Sequence, residues 1–198
     1  MNNIKSFGIF GGTFNPPHIG HLLIAKKIKQ ELNIDRIFFV PSYLPPHKNA
    51  SDIADASHRQ EMVKLLIESE PSFILSGCEI DRKNVCYSVD TIKFFRSEFP
   101  GKEIYFIAGS DAFYYIDTWK DYAGIMKLTS FVVYERKGFD RVKVSRKFPE
   151  ADNVKWISGE LINIASSDIR MRIRAGEDCT EEVGKKVSQY IEKNSLYK

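Results

Sequence analysis

The chain's 198 residues suit a single domain, residues 1–198, long enough to bury roughly 70% of its unfolded surface. Apolar (43%) and charged (28%) contents at globular averages exclude a disordered chain, and a net charge of +3 is too weak for a nucleic-acid-binding face, though it suits a small anionic substrate. Three cysteines (Cys78, Cys86 and Cys179) without paired metal-ligand spacing, no signal-peptide core after Lys5 and no run of ~18 apolar residues lead to the expectation of a soluble cytoplasmic protein with no membrane partner.

Ile4 to Phe10 reads as a short buried strand that enters a Gly11-Gly12-Thr13 turn. A corner at Asn15-Pro16-Pro17 follows, and a helical pattern then runs from Ile19 to Asn33 with Ile19, Leu22, Leu23, Ile28 and Leu32 on one stripe. His18 and His21 stand three apart at its start, a spacing that puts both imidazoles on one helix face. Arg36 to Val40 is a second apolar strand, left by a proline loop, Pro41 to Lys48, that can be neither helix nor central strand.

Ser57 can cap a helix to about Ser69, and Phe73 to Ile80 carries a weaker strand pattern because of Gly77. Tyr87 to Phe99 is helical and closed by Pro100-Gly101. Glu103 to Ala108 is a third strongly apolar strand, entering Gly109-Ser110-Asp111. Asp117 to Lys127 reads as a helix bearing Trp119, and Phe131 to Tyr134 as a strand. Lys137 to Asn153 is basic and irregular, and Val154 to Ile157 fits a last strand. Ser166 or Ser167 caps a helix to about Arg174, and a final helix spans Thr180 to Asn194, making residues 164–198 a small helical part.

Strands alternating with helices at this spacing imply parallel pairing through right-handed crossovers, hence an α/β fold with a doubly wound parallel sheet. Ligands of such sheets bind beyond the carboxyl ends of the strands, where the loops after Phe10, Val40 and Ala108 gather. A glycine turn leading into a helix offers converging N–H donors that suit phosphate.

The opening stretch is no Walker loop, since no Gly-Lys-Ser/Thr follows the glycines, and Gly8, Gly11 and Gly12 are wrongly spaced for the dinucleotide fingerprint. Two histidines without a third ligand make a poor zinc site. GGTFNPPHIGH resembles the signature of the H-x-G-H nucleotidyltransferase superfamily. The literal HIGH also resembles class I aminoacyl-tRNA synthetases, but 198 residues cannot house their tRNA-binding domains.

Over nearly its whole length the chain resembles the bacterial nicotinate-nucleotide adenylyltransferase family. FFVPSYLPPHK (Phe38 to Lys48), HRQEM (His58 to Met62), CYSVDTI (Cys86 to Ile92), GSD (Gly109 to Asp111), Trp119 and IASSDIR (Ile164 to Arg170) fall in that family's order. Departures are small: Asn15 stands where aspartate is frequent, Ser110 where alanine is usual, Ala165 and Ser167 where serine and threonine are usual, and Cys86 where serine is common.

The resemblance implies a Rossmann-like nucleotidyltransferase fold and transfer of AMP from ATP to the 5′-phosphate of nicotinate mononucleotide in NAD biosynthesis. His18, His21 and Arg170 would be the catalytic groups, acting on phosphates. Gly11, Gly12, Thr13, Phe14, Gly109, Asp111, Ile164, Ser166 and Ser167 would complete the ATP site, with Asp111 accepting from the ribose. Thr13, Asn15 and Lys48 would serve the mononucleotide, Trp119 would stack on its pyridine ring, and Tyr87, Ser88 and Trp119 would offer N–H groups to its carboxylate. Mg²⁺ would arrive on ATP and need few protein ligands, with no dedicated metal residues. Weighed beside this are an adenylyltransferase for nicotinamide mononucleotide or phosphopantetheine, a cytidylyltransferase, and a nucleotide-binding regulator without turnover. Oligomeric state stays open, a homo-oligomer included.

Overall fold

Strands this short and apolar on both sides must be covered on both faces, and helices do so here. The computed structural model describes residues 4–44, 53–85, 87–148, 154–158 and 164–198. Six strands, β1 (Ser6–Gly12), β2 (Arg36–Pro41), β3 (Phe73–Leu75), β4 (Glu103–Gly109), β5 (Ser130–Tyr134) and β6 (Val154–Ile157), form one parallel sheet in the order β3-β2-β1-β4-β5-β6. The helices are α1 (Ile19–Glu31), α2 (Ala56–Ile67), α3 (Cys78–Arg82), α4 (Ser88–Glu98), α5 (Ser110–Tyr114), α6 (Tyr122–Leu128) and α7 (Arg141–Lys147). They continue with α8 (Ser166–Arg174), α9 (Thr180–Val183) and α10 (Lys185–Lys193). The expected doubly wound sheet is thus present.

Side-chain alternation along each strand divides the core in two. Phe7, Ile9, Phe38, Val40, Phe106 and Phe131 point to the side covered by α4, α6 and α7. Phe10, Ile37, Phe39, Tyr105, Ile107 and Val132 point to the other side, against Ile24, Ile28 and Met62 of α1 and α2. Ile169, Cys179, Val183, Val187 and Ile191 pack into that second cluster, so the C-terminal helices share the core of α1 and α2. At Gly8 a Cβ would lie 2.9 Å from Ile107 Cδ1, so the glycine lets that side chain pack close against β1.

Several boundaries differ from the sequence reading for local reasons. The first helix ends at Glu31, and Asn33 takes the left-handed conformation (φ 50°) that asparagine tolerates at a stop. The segment Phe73 to Ile80 is a strand only to Leu75; Gly77 then starts α3, with Glu79 and Asp81 in the first turn, where the helix dipole favours acids. The single helix expected over Asp117 to Lys127 is broken. Ile116–Thr118 forms a 3₁₀ turn, and Asp121 (φ 53°) starts α6 by accepting the Gly124 N–H at 3.2 Å.

Trp119 therefore sits on the connection between these turns, in extended backbone. Helix α2 starts after Asp55, not at a Ser57 cap, and α8 starts after Ala165 without a side-chain cap. Gly184, at φ 85°, divides the last helix into α9 and α10. Within the basic segment, Asp140 accepts the Lys143 N–H at 2.8 Å and caps α7.

Candidate active site

The chain reverses its winding direction between β1 and β4, which leaves a crevice outside their carboxyl ends. A cavity of about 360 Å³ occupies that place. Gly11, Gly12, Thr13 and Phe14 from the β1–α1 loop form one wall. Gly109 and Asp111 from the end of β4 form another, and Ser88 and Trp119 line it as well. A Cβ on Gly109 would collide with Asp111 Oδ1, so glycine there lets the carboxylate fold back from α5 toward the end of β4.

The β1–α1 loop is shaped by Phe14, a non-glycine residue at φ 49°. Its ring holds it there, buried against Phe10, Phe39 and His21 with centroids 5.8, 5.9 and 5.0 Å away. Beneath the loop lies Arg59, 1% exposed. Its Nη1 donates to Thr13 O (2.8 Å), its Nη2 to Tyr43 O (2.9 Å) and its Nε to Ala54 O (2.8 Å). One planar cation thereby ties the first loop to the loop after β2 and to the entry of α2.

The two histidines do not share a helix face. His18 precedes α1 in extended backbone (φ −147°, ψ 166°), and its ring lies 3.7 Å from that of His21 with a 32° tilt. The His18 N–H donates to His21 Nδ1 at 3.2 Å, and the His21 N–H returns to His18 O at 2.9 Å. With Nδ1 acting as acceptor, a neutral His21 carries its proton on Nε2. His21 lines the cavity, whereas His18 is 2% exposed and its Nδ1 has no partner among the described residues. Burial, and then the nearby Arg136 charge, lower the His18 pKa to about 3, so His18 is neutral at physiological pH.

Asn15 lies below the cavity, 4% exposed, and its Oδ1 accepts from the Ala54 N–H (3.0 Å) and the Tyr197 hydroxyl (2.8 Å). Arg170 Nη1 donates to Asn15 O (2.9 Å), and the Ser166 hydroxyl to Pro16 O (2.8 Å), so α8 docks on the proline corner. The Ser167 hydroxyl bonds Asp168 Oδ1 at 3.1 Å, and Ile164 is half-buried against the core. Tyr87 precedes α4 beside the cavity, with Lys120 Nζ 4.2 Å from its ring centroid. The Trp119 N–H is already given to Ile116 O at 3.0 Å, which leaves Ser88, in the first turn of α4, as the better-placed N–H donor. The Trp119 ring stands edge-on to Phe106 with centroids 5.9 Å apart. Lys48, with residues 45–52, lies outside the described residues.

Sequence reasoning missed Arg136, Glu79 and Ser42, all of which line the cavity. Arg136 is held by its N–H to Ser110 Oγ (2.8 Å) and by its Nη2 to the Tyr134 hydroxyl (3.3 Å). Its position just past the end of an apolar strand was the available signal. Glu79, 6% exposed, accepts from the Thr91 hydroxyl at 2.5 Å and was hidden inside a segment read as strand. Among the described residues no three His, Cys, Asp or Glu side chains converge as a metal cage. No described helix is long and apolar enough to cross a membrane.

A cytidylyltransferase-like family model matches residues 9–172. The chain is 35% identical over 194 residues to the nicotinate-nucleotide adenylyltransferase of Bacillus subtilis (strain 168), covering 98% of this chain and 99% of that one. It is 37% identical over 202 residues to the "Probable nicotinate-nucleotide adenylyltransferase" of Clostridium tetani, covering 98% and 100% of the two chains. Among solved structures, the Plasmodium falciparum nicotinic acid mononucleotide adenylyltransferase complexed with NaAD superposes with a TM-score of 0.83 at 23% identity, covering 98% and 97% of the chains. At that identity the structural match speaks for the fold.

Proposed function

This chain belongs to the nicotinate-nucleotide adenylyltransferase family, and from that premise we infer that it transfers AMP from ATP to the 5′-phosphate of nicotinate mononucleotide. The products are nicotinate adenine dinucleotide and pyrophosphate, within NAD biosynthesis, and we place the reaction in the cytoplasm. The observation that carries the reading is one cavity at the sheet's switch point, into which the glycine loop, His21 and Trp119 all face.

The acceptor phosphate is an anion at neutral pH and already a nucleophile. One of its oxygens bonds to the α-phosphorus of ATP as the bond from that phosphorus to the bridging oxygen breaks. Pyrophosphate leaves with the electron pair, and no covalent enzyme intermediate forms. Such a reaction asks the protein for alignment and for donors aimed at phosphate oxygens. The Gly11–Phe14 backbone lies where side chains would obstruct close approach of phosphates. His21 Nε2–H supplies a donor, and Arg136 adds a fixed cation at the same cavity.

His18 serves His21 from behind, through its N–H and its adjacent ring. Arg170 keeps part of its guanidinium for the outer phosphates of ATP, its Nη1 being given to Asn15 O. Asp111 accepts from the ATP ribose, and Trp119 stacks on the pyridine. The acid of nicotinate meets the N–H groups at the start of α4 near Tyr87 and Ser88. Thr13 and Lys48 are assigned to the mononucleotide phosphate.

Mg²⁺ would fit this donor set as an ion carried on ATP, because among the described residues Asp111 and Glu79 are the carboxylates that line the cavity. Bound there, it would neutralise phosphate charge. Pyrophosphate release from ATP and Mg²⁺, measured with nicotinate mononucleotide, nicotinamide mononucleotide and phosphopantetheine in turn, tests the reading. Turnover with nicotinate mononucleotide is expected to exceed the others, and no turnover with either pyridine mononucleotide overturns the assignment.

A further inference from the structure

The penultimate residue of the chain reaches the loop on which the site is built. Tyr197 is 182 positions from Asn15, yet its hydroxyl donates to Asn15 Oδ1 at 2.8 Å. The Leu196 N–H bonds Ile191 O at 3.0 Å, and the Leu196 and Tyr197 side chains pack against the core of α1 and α2. Ser195 (φ 50°) and Tyr197 (φ 64°) both adopt left-handed backbone without being glycine, a conformation that persists only where the surroundings impose it. Burial also pushes the Tyr197 hydroxyl above the ordinary phenol range, partly offset by the charges of Arg59 and Arg170, so it remains a neutral donor.

The bond converges with others on one short stretch. Asn15 Oδ1 also accepts from the Ala54 N–H (3.0 Å), while the Asn15 carbonyl receives Arg170 Nη1 (2.9 Å). Arg59 holds Thr13 O, two residues before Asn15, at 2.8 Å, and Ser166 holds Pro16 O at 2.8 Å. The side chain of Asn15 is thus held by Tyr197 together with Ala54, while its backbone carbonyl is the seat of Arg170.

We propose that Tyr197 is a positioning residue for adenylyl transfer: through Asn15 it fixes the corner between β1 and α1 and thereby the seat of Arg170. The inference rests on the reading of Arg170 as a group that holds the outer phosphates of ATP. It assigns a role in the ATP half of the site to a residue at the far end of the sequence, and it predicts that the two substrates respond differently to its loss.

Tyr197→Phe keeps the packed ring and removes only the hydroxyl. ATP affinity is measured by calorimetry without acceptor, steady-state kinetics with each substrate varied, and thermal unfolding alongside. Loss of one neutral hydrogen bond that aims a charged group should weaken ATP binding about fivefold to tenfold and lower kcat/KM for ATP to match, with KM for the mononucleotide within about twofold of wild type. ATP affinity and turnover both within about twofold of wild type, at whatever melting temperature, would overturn the proposal and leave the tyrosine a purely structural anchor. A loss confined to KM for the mononucleotide would overturn it equally. Because ATP binding is read without an acceptor, a wild-type enzyme inactive on nicotinate mononucleotide would sink the substrate assignment while this test still stands.

Discussion

His18 and His21 lie ring against ring, with 3.7 Å between centroids and a 32° tilt, and the backbone N–H of the first donates to Nδ1 of the second at 3.2 Å. That single bond settles which nitrogen of a neutral His21 can face a substrate. It also divides the labour of the pair, since His18 is enclosed and His21 borders the cavity.

Replacing His21 with alanine should therefore remove a preorganised donor, together with the ring that packs on His18 and Phe14. Single donors of this kind contribute about 3 kcal/mol to the barrier, so kcat should fall by about two orders of magnitude or more. Circular dichroism and thermal unfolding should stay near wild type. A near-normal kcat in the folded variant would refute the role.

His18 makes stability depend on pH in a calculable direction. Its pKa is about 3 in the folded protein against 6.5 when unfolded, so between those values only the unfolded chain binds this proton. Stability from His18 is complete above pH 6.5 and is lost as pH falls from there toward 3, by about 1.4 kcal/mol per unit. Urea unfolding at pH 7.5 and 4.5 should show wild type losing more stability on acidification than His18→Gln. Equal losses in the two proteins would show that His18 is not the group responsible.

The fold was legible because its strands are apolar on both sides and its helices follow a 3.6-residue stripe, as in β1, β2, β4 and α1. Misreadings fell where one residue's local chemistry overrode the pattern. Asp121 took left-handed backbone and began a new helix at Tyr122, which moved Trp119 off a helix. Glu79 was concealed because Gly77 was read as a weakness in a strand, not as the start of α3. The cavity's loops, and Arg136 just past β5, could be located from strand ends, but Arg59 and Tyr197 make contacts set by tertiary packing, which no spacing in the sequence encodes.

Arg59 offers a stability test of that packing. Its three carbonyl partners belong to three separate segments, and all would lose a charged donor in Arg59→Met. Hydrogen bonds to charged groups contribute about 1.5–3 kcal/mol each, partly offset by no longer burying the cation, so a net loss of about 3–5 kcal/mol in denaturant unfolding is expected. Arg59→Lys, which can reach only one or two of the carbonyls, should lose nearly as much. A cost below about 1 kcal/mol for Met would mean the three loops hold one another without the guanidinium.

Trp119 separates the two halves of the site most directly. Its ring is fixed edge-on against Phe106 and borders the cavity from a connection, so removing the ring takes away a flat apolar surface without breaking a helix. Stacking of an aromatic ring on a planar ligand contributes about 0.5–1.5 kcal/mol beyond buried area, and Trp119→Ala loses both. KM for the mononucleotide should rise about tenfold or more, with KM for ATP little changed. Trp119→Phe, which keeps a smaller stacking face, should fall between alanine and wild type. A rise confined to KM for ATP would move the ring to the adenosine side and require Asp111, across the same cavity, to be reassigned with it.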